Sequence, residues 1–71
     1  MVPEGYDWLD EVFQCQAART GGVIRRQVIE VQRKVGERAF VQEVRRRSFR
    51  LVRTSQHFVI ICNDQPIELI L

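Results

Sequence analysis

Apolar positions recur along this chain at two different spacings, and the switch between them divides it. Trp8, Leu9, Val12 and Phe13 fall at i, i+1, i+4 and i+5, which is one face of a helix. The spacing predicts a helix over residues 7–19. Asp7 stands as its N-cap, Asp10 follows three positions later, and the acidic first turn suits the positive end of the helix dipole. Arg19 falls in the last turn and Gly21-Gly22 ends the element as a chain reversal. Trp8 and Phe13 are candidate core anchors.

Over residues 23–35 two readings stand. Ile24, Val28, Val31 and Val35 recur at spacings of 4, 3 and 4, as in one amphipathic helix closed by Gly36. The same stretch is dense in β-branched residues, so that Gly22 to Arg26 also reads as a short strand before a helix starting near Gln27. Residues 37–47 form the next helix, with Phe40, Val41 and Val44 inward and Glu43 four residues before Arg47, a favourable ion-pair spacing.

Beyond this point the period drops to two. Residues 49–54 alternate in part, and residues 58–62 are apolar without interruption, with Ser55 and Gln56 between them at the length of a tight hairpin. A run apolar on both faces predicts a central strand. After the turn signal Asn63-Asp64-Gln65-Pro66, Ile67, Leu69 and Leu71 share one face of an expected third strand. The expectation is therefore a single α+β domain over residues 1–71. It has two or three N-terminal helices followed by a small antiparallel β-meander of two or three strands.

Charge changes the picture more than composition does. The chain has 71 residues and a net charge of +2, but its ten arginines and one lysine all lie between Arg19 and Arg53. That window also holds Glu30, Glu37 and Glu43, for a charge of +8, against −4 in the first 18 residues and −2 in the last 18. Guanidinium groups present a planar fork that fits phosphate or carboxylate, so the middle of the chain points to a polyanionic partner. The densest group is Arg45, Arg46 and Arg47, followed by Arg50 and Arg53; Arg25 and Arg26 come second. Three successive helical residues fan over about 300°, so the triplet does not face one surface. As helical residues, Arg25-Arg26 and Arg33-Lys34 stand about two turns apart and share a face.

Other chemistry is sparse. Cys15 and Cys62 form no CxxC, no His cluster accompanies them, and neither a Gly-x-Gly-x-x-Gly nor a lysine-bearing phosphate loop is present. No cofactor and no metal are expected. No apolar stretch approaches the length of a membrane span and the N-terminus is acidic where a secretory leader is basic, so a cytoplasmic, membrane-free protein is expected. His57 is the one histidine and reads as a turn residue, and Cys62 as a small core residue.

With Gly22 to Arg26 as a strand, the order helix, strand, helix, helix, strand, strand resembles that of winged-helix DNA-binding domains. The resemblance implies that residues 37–47 are the recognition helix and Ser55-Gln56 the wing tip, flanked by phosphate-contacting arginines. A second resemblance, over residues 40–71, is to HicA-type toxins: a helix, Phe49, a strand ending in Arg53 and a loop ending in His57. It implies a small ribonuclease in which His57 is the acid–base residue and Arg53 a phosphate contact. The leading expectation is a non-enzymatic module binding DNA or RNA through Arg45, Arg46, Arg47, Arg50 and Arg53, with Arg25 and Arg26. The alternatives are a protein-interaction module, binding an acidic surface or a second copy of itself as a homodimer, and the ribonuclease.

Overall fold

The computed structural model describes residues 4–71, with side chains from Asp7 onward. Its elements run α1 (Glu4–Val12), α2 (Gln16–Thr20), β1 (Val23–Gln27), α3 (Val28–Lys34), α4 (Glu37–Arg46), β2 (Arg50–Arg53) and β3 (His57–Ile61). The α+β expectation holds, and the three strands form one antiparallel sheet in the order β1-β3-β2.

The first helix is not continuous. Phe13 and Gln14 donate to Asp10 and Glu11, three residues back, at 3.2 Å each, which tightens the last turn of α1; Cys15 is then extended before α2 begins. The apolar stripe ends at Phe13, and no large side chain from Gln14 to Thr20 anchors a longer helix. What α2 offers is smallness: the Gly22 backbone lies so close to Ala17 that a Cβ on it would sit 3.2 Å from the Ala17 Cβ. Asp7 is not a cap, since α1 has already begun at Glu4 and Asp7 lies exposed within it. Gly21 ends α2 in the left-handed region at φ 77°, as its position suggested.

Residues 23–27 resolve as a strand running directly into a helix. The period of 4, 3 and 4 was a coincidence of two elements: Val28, Val31 and Val35 belong to α3 and its end, whereas Ile24 faces the core from β1. β3 is central as expected, but its second neighbour is β1, pairing Val23 with Ile61 through Gln27 with His57. The predicted meander is therefore corrected: residues 67–71 form no strand, because β1 already holds the edge of β3 that they would have needed. The β2–β3 hairpin pairs Arg50 with Ile61 through Arg53 with Phe58, and Thr54 N donates to His57 O at 2.8 Å, leaving Ser55 and Gln56 as the two-residue tip. Val28 N in turn donates to Gln56 O at 2.9 Å, which ties that tip to the start of α3.

The helices cover one face of the sheet. Leu9, Val12 and Phe13 from α1 and its end, Val28 and Val31 from α3, and Phe40 and Val44 from α4 pack over Ile24, Phe58 and Ile60. Phe40 is 0% exposed and stands at the centre, with ring centroids 5.1 Å from Phe58, 6.4 Å from Phe13 and 6.5 Å from Trp8. Cys62 is buried as expected, and desolvation pushes its thiol pKa up, so it is held as a neutral core residue.

Two backbone positions set how α4 is framed. Gly36 separates α3 from α4 at φ 86° and ψ 148°, a conformation in effect reserved for glycine. At the other end, Ser48 adopts φ 60° while Phe49 N donates to Val44 O and Ser48 N to Arg45 O, the paired bonds of a Schellman closure. Glycine usually fills that position, and serine there carries the left-handed penalty of an L residue. Ser48→Gly is expected to stabilise the fold by about 0.5–1 kcal/mol, read as a rise of a few degrees in thermal midpoint. A lower midpoint would mean that the Ser48 side chain contributes something its exposed position does not suggest.

Candidate nucleic-acid interface

The arginines of the middle segment separate into two groups by what they already touch. Arg46 is bidentate on Glu43, with Nε to Oε2 at 3.1 Å and Nη2 to Oε1 at 2.6 Å. Arg47 reaches the same carboxylate, Nε to Oε1 at 2.8 Å, and stacks over the Phe13 ring with its guanidinium carbon 4.6 Å from the centroid. Arg53 pairs with Glu37, sixteen residues earlier, and lies 5.4 Å from the centroid of Phe58. Arg50 donates to two backbone carbonyls, Nη2 to Asp64 O at 2.9 Å and Nε to Gln65 O at 3.2 Å. Four of the five leading candidates are thus already engaged by groups of the domain itself.

Arg45 is the exception. It is exposed and makes no ion pair among the described residues. At about 100° per residue, Arg38, Gln42 and Arg45 fall on one side of α4, opposite the buried pair Phe40 and Val44. All three are exposed, and neither arginine has a carboxylate partner among the described residues. Arg38 and Gln42 were not singled out by charge density, because each stands alone in the sequence. Their signal is the helical period relative to Phe40. Arg33 and Lys34, also exposed, lie at the end of α3 just before the Gly36 turn that leads to Arg38.

The carboxylates of α4 are accounted for as well. Glu37 and Glu43 are both ion-paired, and the Glu43 side chain is only 13% exposed. The outward side of α4 is therefore basic without opposing acid. The Arg46 hydrogen bond is the largest influence on the Glu43 carboxyl; burial opposes it, and the Arg47 hydrogen bond with the charges of both arginines leaves the carboxyl below the usual carboxylate range. A carboxyl whose folded pKa is depressed contributes stability that is complete above the unfolded pKa and is lost as pH falls through the folded one. Glu43→Gln is thus expected to lower the urea midpoint at pH 7 and to lessen its decline just below pH ~4.3, the ordinary glutamate value. An unchanged acid decline in the variant would remove Glu43 as a source of acid sensitivity.

The second-rank candidates do not join this surface. Arg25 and Arg26 lie on β1 and, as successive strand residues, point to opposite faces of the sheet, not to one helical face shared with Arg33 and Lys34. Arg25 is exposed; Arg26 is half-buried and donates Nη1 to Arg25 O at 2.8 Å. His57 opens β3, with its backbone N–H donating to Thr54 Oγ1 at 3.0 Å. Its side chain emerges on the face opposite that of Arg53, which stacks on Phe58.

Among the described residues no group of three or more His, Cys, Asp or Glu is placed to hold a metal ion, and no helix is long and apolar enough to cross a membrane. Comparison of the chain with protein-family models, with curated proteins and with solved structures finds no match.

Proposed function

We propose that this domain binds duplex DNA in the manner of a winged helix, presenting the outer side of α4 to the major groove. The observation that carries the reading is the row Arg38, Gln42 and Arg45: exposed, uncommitted, and set on a helix whose own carboxylates are neutralised by other arginines. A helix about 10–12 Å across matches a major groove about 12 Å wide, whereas the deep, narrow groove of duplex RNA does not admit one. Arginine and glutamine are also the side chains that read guanine and adenine edges by paired hydrogen bonds.

The element order and the sheet order β1-β3-β2 support the reading, with α1 and α2 together in the place of the first helix. Arg33 and Lys34 before the Gly36 turn would meet the phosphates beside the groove. The hairpin tip would lie over the adjacent backbone, its base fixed to the start of α4 by the Arg53–Glu37 pair.

The test is fluorescence anisotropy of a labelled mixed-sequence DNA duplex titrated with the protein at 50 and 200 mM salt. About five phosphate contacts give a slope near −4.5 in log K against log salt, a loss on the order of several hundred-fold. Absence of binding at 50 mM salt, or an affinity indifferent to salt, would dismiss the reading. An A-form RNA duplex bound as tightly as DNA would reject the groove assignment.

A further inference from the structure

The last residues of the chain carry the most exposed apolar surface of the molecule. Ile67 is 47% exposed, Leu69 88%, Ile70 83% and Leu71 108%, in a segment with no regular secondary structure. Beside the point where this segment leaves the domain lies a groove of about 470 Å³ between α4 and β2. Val41, Val44, Phe49 and Leu51 form its apolar lining, and Arg45 and Arg50 stand with them. The edge of β2 that borders it is open. Thr54 and His57 close the hairpin as a hydrogen-bonded pair, so by alternation Val52 and Arg50 bond inward to β3, and the backbone groups of Leu51 and Arg53 point outward. No hydrogen bond reaches those outward groups among the described residues.

We propose that residues 66–71 of one chain add as a strand to the open β2 edge of a second copy, each chain filling the other's groove. The segment fits in length: six extended residues reach about 20 Å, and a four-residue strand such as β2 spans about 13 Å. It fits in pattern, since Ile67, Leu69 and Leu71 alternate toward the apolar lining. Glu68 and Ile70, two apart, then face Arg50 and Val52, also two apart, on the other side of the sheet. It fits in charge at one place: Glu68, the one charged side chain of the segment, has no ion pair among the described residues and comes opposite Arg50 on that side, while Asp64 is the one acidic residue among the groove's lining.

The occupant is a second copy because donor and acceptor lie side by side on the same chain. Arg50, at the start of the open edge, holds the Asp64 and Gln65 carbonyls from which the segment departs. A two-fold axis at this place brings each segment to the partner's edge in one self-complementary contact. The contact also covers an open strand edge and the exposed leucines together.

Analytical ultracentrifugation of the full chain from about 1 to 100 μM, without nucleic acid, tests this independently of the DNA reading. A mass twice the 8.4 kDa of the chain is expected at the upper concentrations. The variant Leu69→Asp/Leu71→Asp alters only exposed side chains and is expected to sediment at the single-chain mass with an unchanged circular dichroism spectrum. Hydrogen exchange gives the second readout: the Leu51 and Arg53 amides are expected to be protected in the dimer and to lose protection on dilution. A parent that stays monomeric throughout overturns the proposal. So does a dimer that survives the double substitution, or protection of both amides in a monomer, which would mean that each chain covers its own edge.

Discussion

Replacing Phe40 with alanine is expected to remove most of the stability of this domain. Its ring is wholly buried and meets Trp8 and Phe13 from α1 and its end and Phe58 from β3, so truncation leaves a void between helix and sheet that these rings cannot jointly fill. Phenylalanine-to-alanine changes in such positions cost about 3–5 kcal/mol. A domain of this length is stable by roughly 4–11 kcal/mol in total, at 0.05–0.15 kcal/mol per residue. The variant should therefore show a urea midpoint near zero, or no cooperative transition at 25 °C. Phe40→Leu, which keeps most of the volume, should lose no more than about 1.5 kcal/mol. An alanine variant within 1 kcal/mol of the parent would mean that the helices are held to the sheet elsewhere.

The second large effect concerns binding. Arg38→Ala/Arg45→Ala is expected to weaken DNA binding about 100-fold at 50 mM salt, from roughly 1.5 kcal/mol for each lost contact. The slope of log K against log salt, which reports phosphate contacts, should fall by about 2 instead in Arg33→Ala/Lys34→Ala. Arg46→Ala serves as the contrast. Its guanidinium is already spent on Glu43, and Arg47 remains to neutralise that carboxylate, so affinity should change by less than about threefold. Both α4 variants should keep the parent's thermal transition within a few degrees, since all three side chains are exposed. A larger effect from Arg46 than from Arg38 and Arg45 together would move the interface off the outer side of α4. The two arginines matter on this reading because no carboxylate of the described residues pairs with either.

The contrast between these arginines also marks what could be read from the sequence. α4 was legible because Phe40 and Val44 repeat at a helical spacing between Gly36 and Ser48, and β3 because both of its faces are apolar. β1 was ambiguous for a physical reason: Ile24 on the strand happens to continue the period of Val28 and Val31 on the helix that follows it without a loop. The alternation of Ile67, Leu69 and Leu71 is real, but alternation states only that a segment suits a sheet. Which edge is available depends on β1, some forty residues earlier in the chain.

The engagement of the arginines was legible only in part. Density of arginine pointed to residues 45–53, and the Glu43–Arg47 pair was visible at its four-residue spacing. The Arg53–Glu37 pair and the Arg50 contacts span 16, 14 and 15 residues and exist only once the hairpin is laid beside α4 and the last turn. Those long-range partners engage two of the expected residues, Arg50 and Arg53. What remains is a row whose members, Arg38, Gln42 and Arg45, are recognisable only by their angle from Phe40 around the helix.

The strand order has a consequence for how the domain is made. β1 has its one partner in β3, with Val23 and Ile61 38 positions apart, and β3 comes last in chain order among the described elements of the domain. While the chain grows, the helices gain local contacts early, but the inner edge of β1 stays unpaired until the final strand leaves the ribosome. Pairing over such distances is the slow step of small α+β domains, because loop closure precedes any reward from the contacts. A nascent chain arrested before His57 accordingly holds all eleven basic residues and no β3 on which to build the sheet. Folding of this domain is thus gated by its third strand, and the outer side of α4 is set against a sheet only when synthesis has passed Ile61.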